Sequence, residues 1–373
     1  MKLDLPLTLA AASLVLLVGQ YLVNRIPALG RTAIPAPVVG GLLFALLALA
    51  CPVSIDTSLR APLQTLFFTT IGMGASTELI RRGGRPLILL WIIASLAAVV
   101  QNLAGIAAAL LLGVPADLGI IAGALTLTGG PATGLAFATV FESRGLPQAA
   151  ELIIASATFG ILAASLVGNP VATLLIRRTI TPLAAASSPV QAARPPIERL
   201  LLHVMVLLLV SGAGTLLSSV ITRTGFLLPS YIGAMVLGFL LRTRWQPNPA
   251  TMDAIGATAL AYFLAIALMD LKLAKLASLA IPLLLILTLQ VVVTVAYSVA
   301  SVFFLGRRDY ESAVTTSGLI GFLLGITPNA VANMEALIRR YGAAPQSLLT
   351  VTITGAFLID FSNSLIITLF LNR

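Results

Sequence analysis

Uncharged apolar runs follow one another along nearly the whole chain, separated by short polar breaks. They predict spans at 5–23, 34–52, 61–77, 87–114 and 152–176, then at 200–221, 226–241, 254–271, 276–305 and 347–371. Such runs are of the length that lets an α-helix cross the hydrocarbon of a bilayer, roughly 20 residues. The pattern is that of an all-α polytopic membrane protein. The first run has only Lys2 beside Asp4 as a basic flank and no small-x-small cleavage site. It reads as the first span and not as a removed signal.

Two more runs, 116–141 and 312–338, are equally apolar but interrupted. The first contains LTLTGGPATGLAF (125–137), which puts Gly129, Gly130 and Pro131 inside a stretch without charge from 118 to 141. The second contains GITPNAVAN (325–333). Between the two sets of runs lies RRTITPLAAASSPVQAARPPIER (177–199), rich in Pro, Ala and Ser, which reads as an exposed linker. The chain therefore divides into 1–178, a linker at 179–199, and 200–373. Each side holds five spans and one broken segment.

The two sides share landmarks in the same order. GPATGLAFATVFESRGLPQ (130–148) aligns with TPNAVANMEALIRRYGAAPQ (327–346), pairing Pro131 with Pro328 and Gly145 with Gly342. Upstream, IPAPVVGGLL (34–43) resembles LLPSYIGAMVLGFLL (227–241). If each broken segment is a hairpin that enters and leaves on one face, each half crosses five times. An odd number of crossings turns the second half upside down, which is the inverted-repeat plan of many secondary transporters. Charge agrees with this count. With the N-terminus outside, fifteen of the 22 Lys and Arg residues fall on the inner face, Arg25, Arg85, Arg177, Arg242, Arg307 and Arg339 among them, against seven on the outer face. This is the bias expected of a cytoplasmic surface. It puts both termini outside and the linker in the cytoplasm, and it accounts for the net charge of +9 without a nucleic-acid partner.

Composition removes several function classes. One cysteine, Cys51, allows no intramolecular disulfide and no Cys-based metal cluster. The one histidine, His203, reads as a core or interface residue, with a proton relay as the alternative. No Ser/His/Asp set, zinc-protease motif or nucleotide-binding loop is present, so the chain reads as a non-enzyme that needs no cofactor and does not use ATP directly. No transition metal is expected.

Breaking a helix inside lipid frees N–H and C=O groups that cost several kcal/mol each unless satisfied. Such breaks survive inside protein or along a polar cavity. Thr327 as N-cap with Pro328 as first helical residue, and Gly130 with Pro131 in the same two places, give two helix starts near the midplane. Two positive helix ends meeting there would hold a carboxylate without a buried Arg or Lys. The candidate substrate residues are Thr128, Gly129, Gly130, Pro131, Ala132, Thr133 and Gly134 of the first break, and Gly325, Thr327, Pro328, Asn329 and Asn333 of the second. Thr126 could add a hydroxyl. The plainer alternative is two Gly/Pro kinks between packed helices. Asp360, in TGAFLIDFSNSLIITLF, is the best intramembrane carboxylate, with Asn363 one turn on. A buried carboxylate needs a cation partner, and no basic residue shares its span, so Na⁺ or a proton would serve. Gln101 and Asn102 are buried amides that serve either as helix–helix contacts or as further sodium ligands. Gln290 is a third. Asp270 reads as an interfacial charge. Gly72 and Gly74 suggest local unwinding in the third span.

TLTGGPATG with the short arm after it, GITPNAVANMEALIRRYG, GAFLIDFSNSLII and the early IPAPVVGGLL together resemble the bacterial sodium/glutamate symporter family. The resemblance covers nearly the whole chain, and TP-x-A-x-AN-M at 327–334 is its most specific piece. It implies a Na⁺-coupled importer of L-glutamate in the bacterial inner membrane, two inverted five-helix repeats with hairpins, a homodimer, and motion of a hairpin-bearing unit against a static scaffold. The family's first hairpin usually reads S-G-G-H-G-T-G, and here Pro131 stands at the histidine's place. The family's G-F-G-L-G run is here Gly321-Phe322-Leu323-Leu324-Gly325. Both departures lie beside the expected substrate site. The reading is a Na⁺-coupled glutamate symporter working by alternating access. Alternatives are a proton- or Na⁺-coupled transporter of another small organic anion, and an anion channel.

Overall fold

The computed structural model describes residues 3–27, 35–50, 53–74, 77–178, 199–223, 230–271 and 279–372. The expected linker, Arg199 apart, lies outside the described residues, as do Cys51, Lys272 and Lys275.

Helix α1 (Leu5–Arg25) starts at Asp4, whose side chain accepts the Leu7 N–H at 3.1 Å and caps the first turn. Helices α2 (Ala36–Ala50) and α3 (Arg60–Gly74) follow. Helix α4 (Thr77–Leu111) bends at Gly84, where φ is 58°, just before Pro86. The first broken segment is α5 (Ala116–Ile120), a π-helical turn over Ile121–Leu125, α6 (Gly130–Ala136) and α7 (Ala138–Ser143). Helix α8 (Ala149–Ile176) completes this half. The second half runs α9 (Leu200–Thr222), α10 (Ser230–Arg242), α11 (Pro249–Met269) and α12 (Ala280–Ser298), which continues into a π turn at Val299–Phe304. The second broken segment is α13 (Tyr310–Leu324) and α14 (Thr327–Tyr341). The last span is split into α15 (Pro345–Ile353), a π turn at Thr354–Leu358, and α16 (Ile359–Leu371).

Six helical stretches among the described residues are long and apolar enough to cross a membrane. They are α1, Gly83–Leu111, α8, α9, α11 and Ala280–Phe304. The chain is a multi-pass membrane protein. In the runs at 34–52 and 226–241 the described residues form helices at Ala36–Ala50 and Ser230–Arg242, and the run at 347–371 is interrupted. Gly72 does not unwind α3: the helix continues to Gly74, and a Cβ on Gly72 would stand 2.1 Å from Met235 O. Its role is close packing on α10.

The helices fall into two bundles. In one, α1, α2, α3, α9, α10 and α11 pack together. Small residues bring the backbones close, as in lipid-embedded helix pairs generally. A Cβ on Gly19 of α1 would be 2.1 Å from Ala36 O of α2, and one on Gly214 of α9 would be 2.1 Å from Ala234 Cα of α10. The other bundle holds α4, α8, α12, α15, α16 and both broken segments. Tyr231 of α10 joins the two bundles. Its ring stacks on Phe68 of α3 at 4.1 Å between centroids and meets the edge of Phe137 at 6.0 Å. The buried face of α8 receives α13, and Gly160 is where they touch: a Cβ there would lie 2.2 Å from Leu324 O. A backbone carbonyl cannot swing away, so Gly160→Ala is expected to cost about 1–3 kcal/mol. A lowered unfolding midpoint of the detergent-purified variant is the readout, and an unchanged midpoint would count against this packing.

The ends of each broken segment are held together. Arg144 Nε donates to the Asp117 carboxylate at 2.8 Å across the mouth of the first. Tyr310 OH donates to Gly342 O at 2.6 Å across the mouth of the second. Arg144 Nη1 also donates to Leu371 O at 3.2 Å, which sets the end of α16 beside the first mouth. Asp270, Glu142 and Glu151 all lie near Arg60, so Asp270 takes part in a charged cluster. His203 is an interface residue. Its Nε2 accepts the Asn248 N–H at 3.0 Å, which leaves Nδ1 as the donor to Arg199 O at 2.9 Å, and its ring sits by Trp245.

Candidate functional site at two facing helix breaks

The two breaks touch. Gly130 has φ +67°, and a Cβ on it would stand 2.9 Å from Ile326 Cγ2 and 4.0 Å from Gly325 O. Both helix starts lie one residue earlier than the sequence suggested. Gly129 is the N-cap of α6 and Ile326 the N-cap of α14, so Pro131 and Pro328 are each the second helical residue. The shift at the second break has a physical cause. The Thr327 hydroxyl, expected to cap its own helix, instead donates to Gly355 O at 2.5 Å in the π turn of the last span. Asn329 takes over the capping task and accepts the Ile326 N–H on Oδ1 at 3.3 Å.

Around the junction, several backbone donors remain open. Among the described residues, the N–H groups of Ala132 at the first tip, and of Gly325 and Thr327 at the second, have no hydrogen-bond partner. Gly130, Pro131, Thr133, Gly134, Gly325 and Asn329 are buried, whereas Pro328 is exposed and Thr327 half-buried, so the approach to the junction is along the second tip. Free donors and positive helix ends facing one another favour an anion. The amides beyond the tip mostly hold the arm in place. Asn329 Nδ2 donates to Ser165 Oγ at 2.9 Å, and Asn333 Nδ2 to Ala164 O at 3.0 Å, both on α8. A groove of about 560 Å³ lies between α14 and α15, lined by Val331, Glu335 and Thr352 among others. It runs along the arm and away from the touching tips.

The candidate cation residues gather on the first arm. Its π turn leaves Gly123 non-helical (φ −100°, ψ −141°), and Ala124 is bracketed from both sides. The Ala124 N–H donates to Asn102 Oδ1 at 3.0 Å, and Asn363 Nδ2 donates to Ala124 O at 2.9 Å. What is left over differs in sign. Asn363 Oδ1 is a buried acceptor without a partner, which suits a cation; Asn102 Nδ2 is a buried donor without a partner. Gln101 spends its side-chain oxygen on the Thr128 hydroxyl at 2.7 Å. One turn before Asn363, the half-buried Asp360 carboxylate accepts no hydrogen bond and pairs with no cation among the described residues. An unpaired carboxylate in a membrane span is expensive.

Three contributors were not singled out from the sequence. Gly355 accepts from Thr327, Ser165 holds Asn329, and Thr294 on α12 accepts from Gln101 Nε2 at 2.9 Å. Gly355 had a visible signal, a glycine five residues before the intramembrane aspartate. The other two look like ordinary small polar residues of a membrane helix.

The family model for the sodium/glutamate symporter matches residues 1–343. A sodium/glutamate symporter of Escherichia coli strain K12 is 36% identical over 391 aligned positions, covering 99% of this chain and 98% of the relative. One of Haemophilus influenzae is also 36% identical, covering 96% of this chain and 94% of the relative.

Proposed function

The chain belongs to the sodium/glutamate symporter family, and on that premise we propose that it imports L-glutamate with Na⁺ across the bacterial inner membrane by alternating access. It is a transporter and not an enzyme. Glutamate binds where the breaks meet. Its carboxylates take the open N–H groups of Ala132, Gly325 and Thr327, within a surface made by Thr128, Gly129, Gly130, Pro131, Thr133, Gly134, Pro328, Asn329 and Asn333. Na⁺ binds at Asp360 and Asn363, with Gln101 and Asn102 shaping the pocket around Ala124. The observation that carries this reading is the Asp360 carboxylate, which lacks a partner one turn from the open acceptor Asn363 Oδ1. Sodium arriving first would neutralise Asp360, which otherwise repels an anionic substrate. One positive charge entering across 100 mV releases about 2.3 kcal/mol, enough to matter before the Na⁺ gradient is counted.

The two halves, 1–178 and 200–373 with a cytoplasmic linker at 179–199, are inverted repeats with both termini outside. The pattern of contacts supports this. The first two helices of each half pack through small residues, α1 on α2 and α9 on α10. Helix α2 packs on α11 as α10 packs on α3, and within each half the hairpin packs on the span that follows it, the first on α8 and the second on α15. Exchange of partners between halves is what a pseudo-two-fold axis produces. The hairpin-bearing bundle is the unit that moves, and two copies form the working homodimer.

Binding of tritiated L-glutamate to purified protein tests the reading. Na⁺, and not K⁺ at equal ionic strength, is expected to bring the dissociation constant into the range of transport. Binding that follows pH and ignores Na⁺ would turn the reading toward a proton at Asp360.

A further inference from the structure

We propose that Gln101 is a positioning residue that couples the cation site to both hairpin tips, an inference that rests on the symport reading above. Gln101 is buried on α4, the long helix beside both hairpins. A primary amide has two N–H donors and a carbonyl oxygen with two lone pairs, and here both donors and one lone pair are used. Nε2 donates to Thr294 Oγ1 at 2.9 Å and to Leu323 O at 2.8 Å, while Oε1 accepts from Thr128 Oγ1 at 2.7 Å. Leu323 is two residues from the second break, and its carbonyl is one of those a helix end leaves unpaired. Thr128 stands in the first break. One side chain thus joins the two tips directly. Its backbone is pinned in turn, since Gln290 Nε2 donates to Gln101 O at 2.6 Å.

The neighbouring residue completes the link. Asn102 holds the N–H of Ala124, whose carbonyl takes the Asn363 amide, one turn from Asp360. A shift of Ala124 on cation binding therefore passes through consecutive residues of a rigid helix to Thr128 and Leu323. Gln101 Oε1 accepts from Thr128, and in this reading Gln101 acts through these partners.

Two variants separate this role from a ligand role and from simple damage. Gln101→Leu removes every side-chain bond, and Gln101→Glu keeps the shape and the oxygen for Thr128 but loses the paired donors. Both are measured for Na⁺-induced thermal stabilisation and for the glutamate concentration that half-saturates binding across a series of Na⁺ concentrations. In the unaltered protein that concentration is expected to fall as Na⁺ rises. In Gln101→Leu it is expected to be at least tenfold higher and nearly flat against Na⁺, while half-maximal Na⁺ stabilisation moves less than twofold. Gln101→Glu should fall between the two. The inference is overturned if Na⁺ stabilisation and glutamate binding weaken by the same factor, or if neither changes. Glutamate binding that ignores Na⁺ in the unaltered protein would instead sink the symport reading, and the inference with it.

Discussion

Asp360→Asn is expected to abolish Na⁺-driven uptake. The substitution keeps the shape and removes the one negative charge that the last span places beside Asn363. A Na⁺ ion leaving water must be repaid by charge as well as by neutral oxygens, because an unpaired ion inside protein costs several kcal/mol. Loss of about 3 kcal/mol of that compensation is about a hundredfold in affinity. The variant should still fold, since Asp360 holds nothing else through its carboxylate and neutralising an unpaired charge does not weaken packing. The checks are initial uptake rate against Na⁺ concentration in proteoliposomes, and the upward shift of unfolding midpoint that Na⁺ produces. Both should vanish together. Normal Na⁺ dependence in the variant would remove Asp360 from the mechanism.

Gly130→Ala should produce the second large effect, on substrate rather than sodium. Gly130 sits at φ +67°, where a residue with a Cβ pays about 1–2 kcal/mol, and the new methyl would meet Ile326 Cγ2 at 2.9 Å. The load falls on the opposite hairpin, because Ile326 is the cap of α14. The glutamate concentration for half-maximal uptake is expected to rise about tenfold or more, the equivalent of 1.4 kcal/mol. Half-maximal Na⁺ stabilisation should stay near its original value, since Ala124 and Asn363 lie on the other side of the break. Ile326→Ala in the same background relieves the contact and leaves the backbone cost, so it should recover part of the loss. Unchanged half-saturation in Gly130→Ala would mean that the junction is not where substrate binds.

The interrupted helices were legible because glycine and proline in an uncharged run leave few alternatives. The 125–137 and 325–333 stretches break where the residues said they would, and Asp360 and Asn363 stand out in an otherwise apolar span. The register of the caps was not legible. Thr327 looks like an N-cap locally, and its actual partner, Gly355 O, is 28 residues away. The π turns at 121–125, 299–304 and 354–358 share no residue pattern that sets them apart from α-helix, yet the first and last shape the site at Ala124 and Gly355. Helix pairing was equally hidden. Helices that are apolar on all sides have no stripe to say which face packs, so Gly160 and Gly214 show their purpose only against Leu324 O and Ala234.

The most direct test of Na⁺-coupled glutamate import is accumulation of radiolabelled L-glutamate in proteoliposomes at equal pH on both sides, with glutamate already present inside. An inward Na⁺ gradient should drive net uptake against the glutamate gradient. Reversing the Na⁺ gradient should reverse the flux. Movement only down the glutamate gradient, whatever the Na⁺ distribution, would contradict coupling and leave a passive anion pathway in its place.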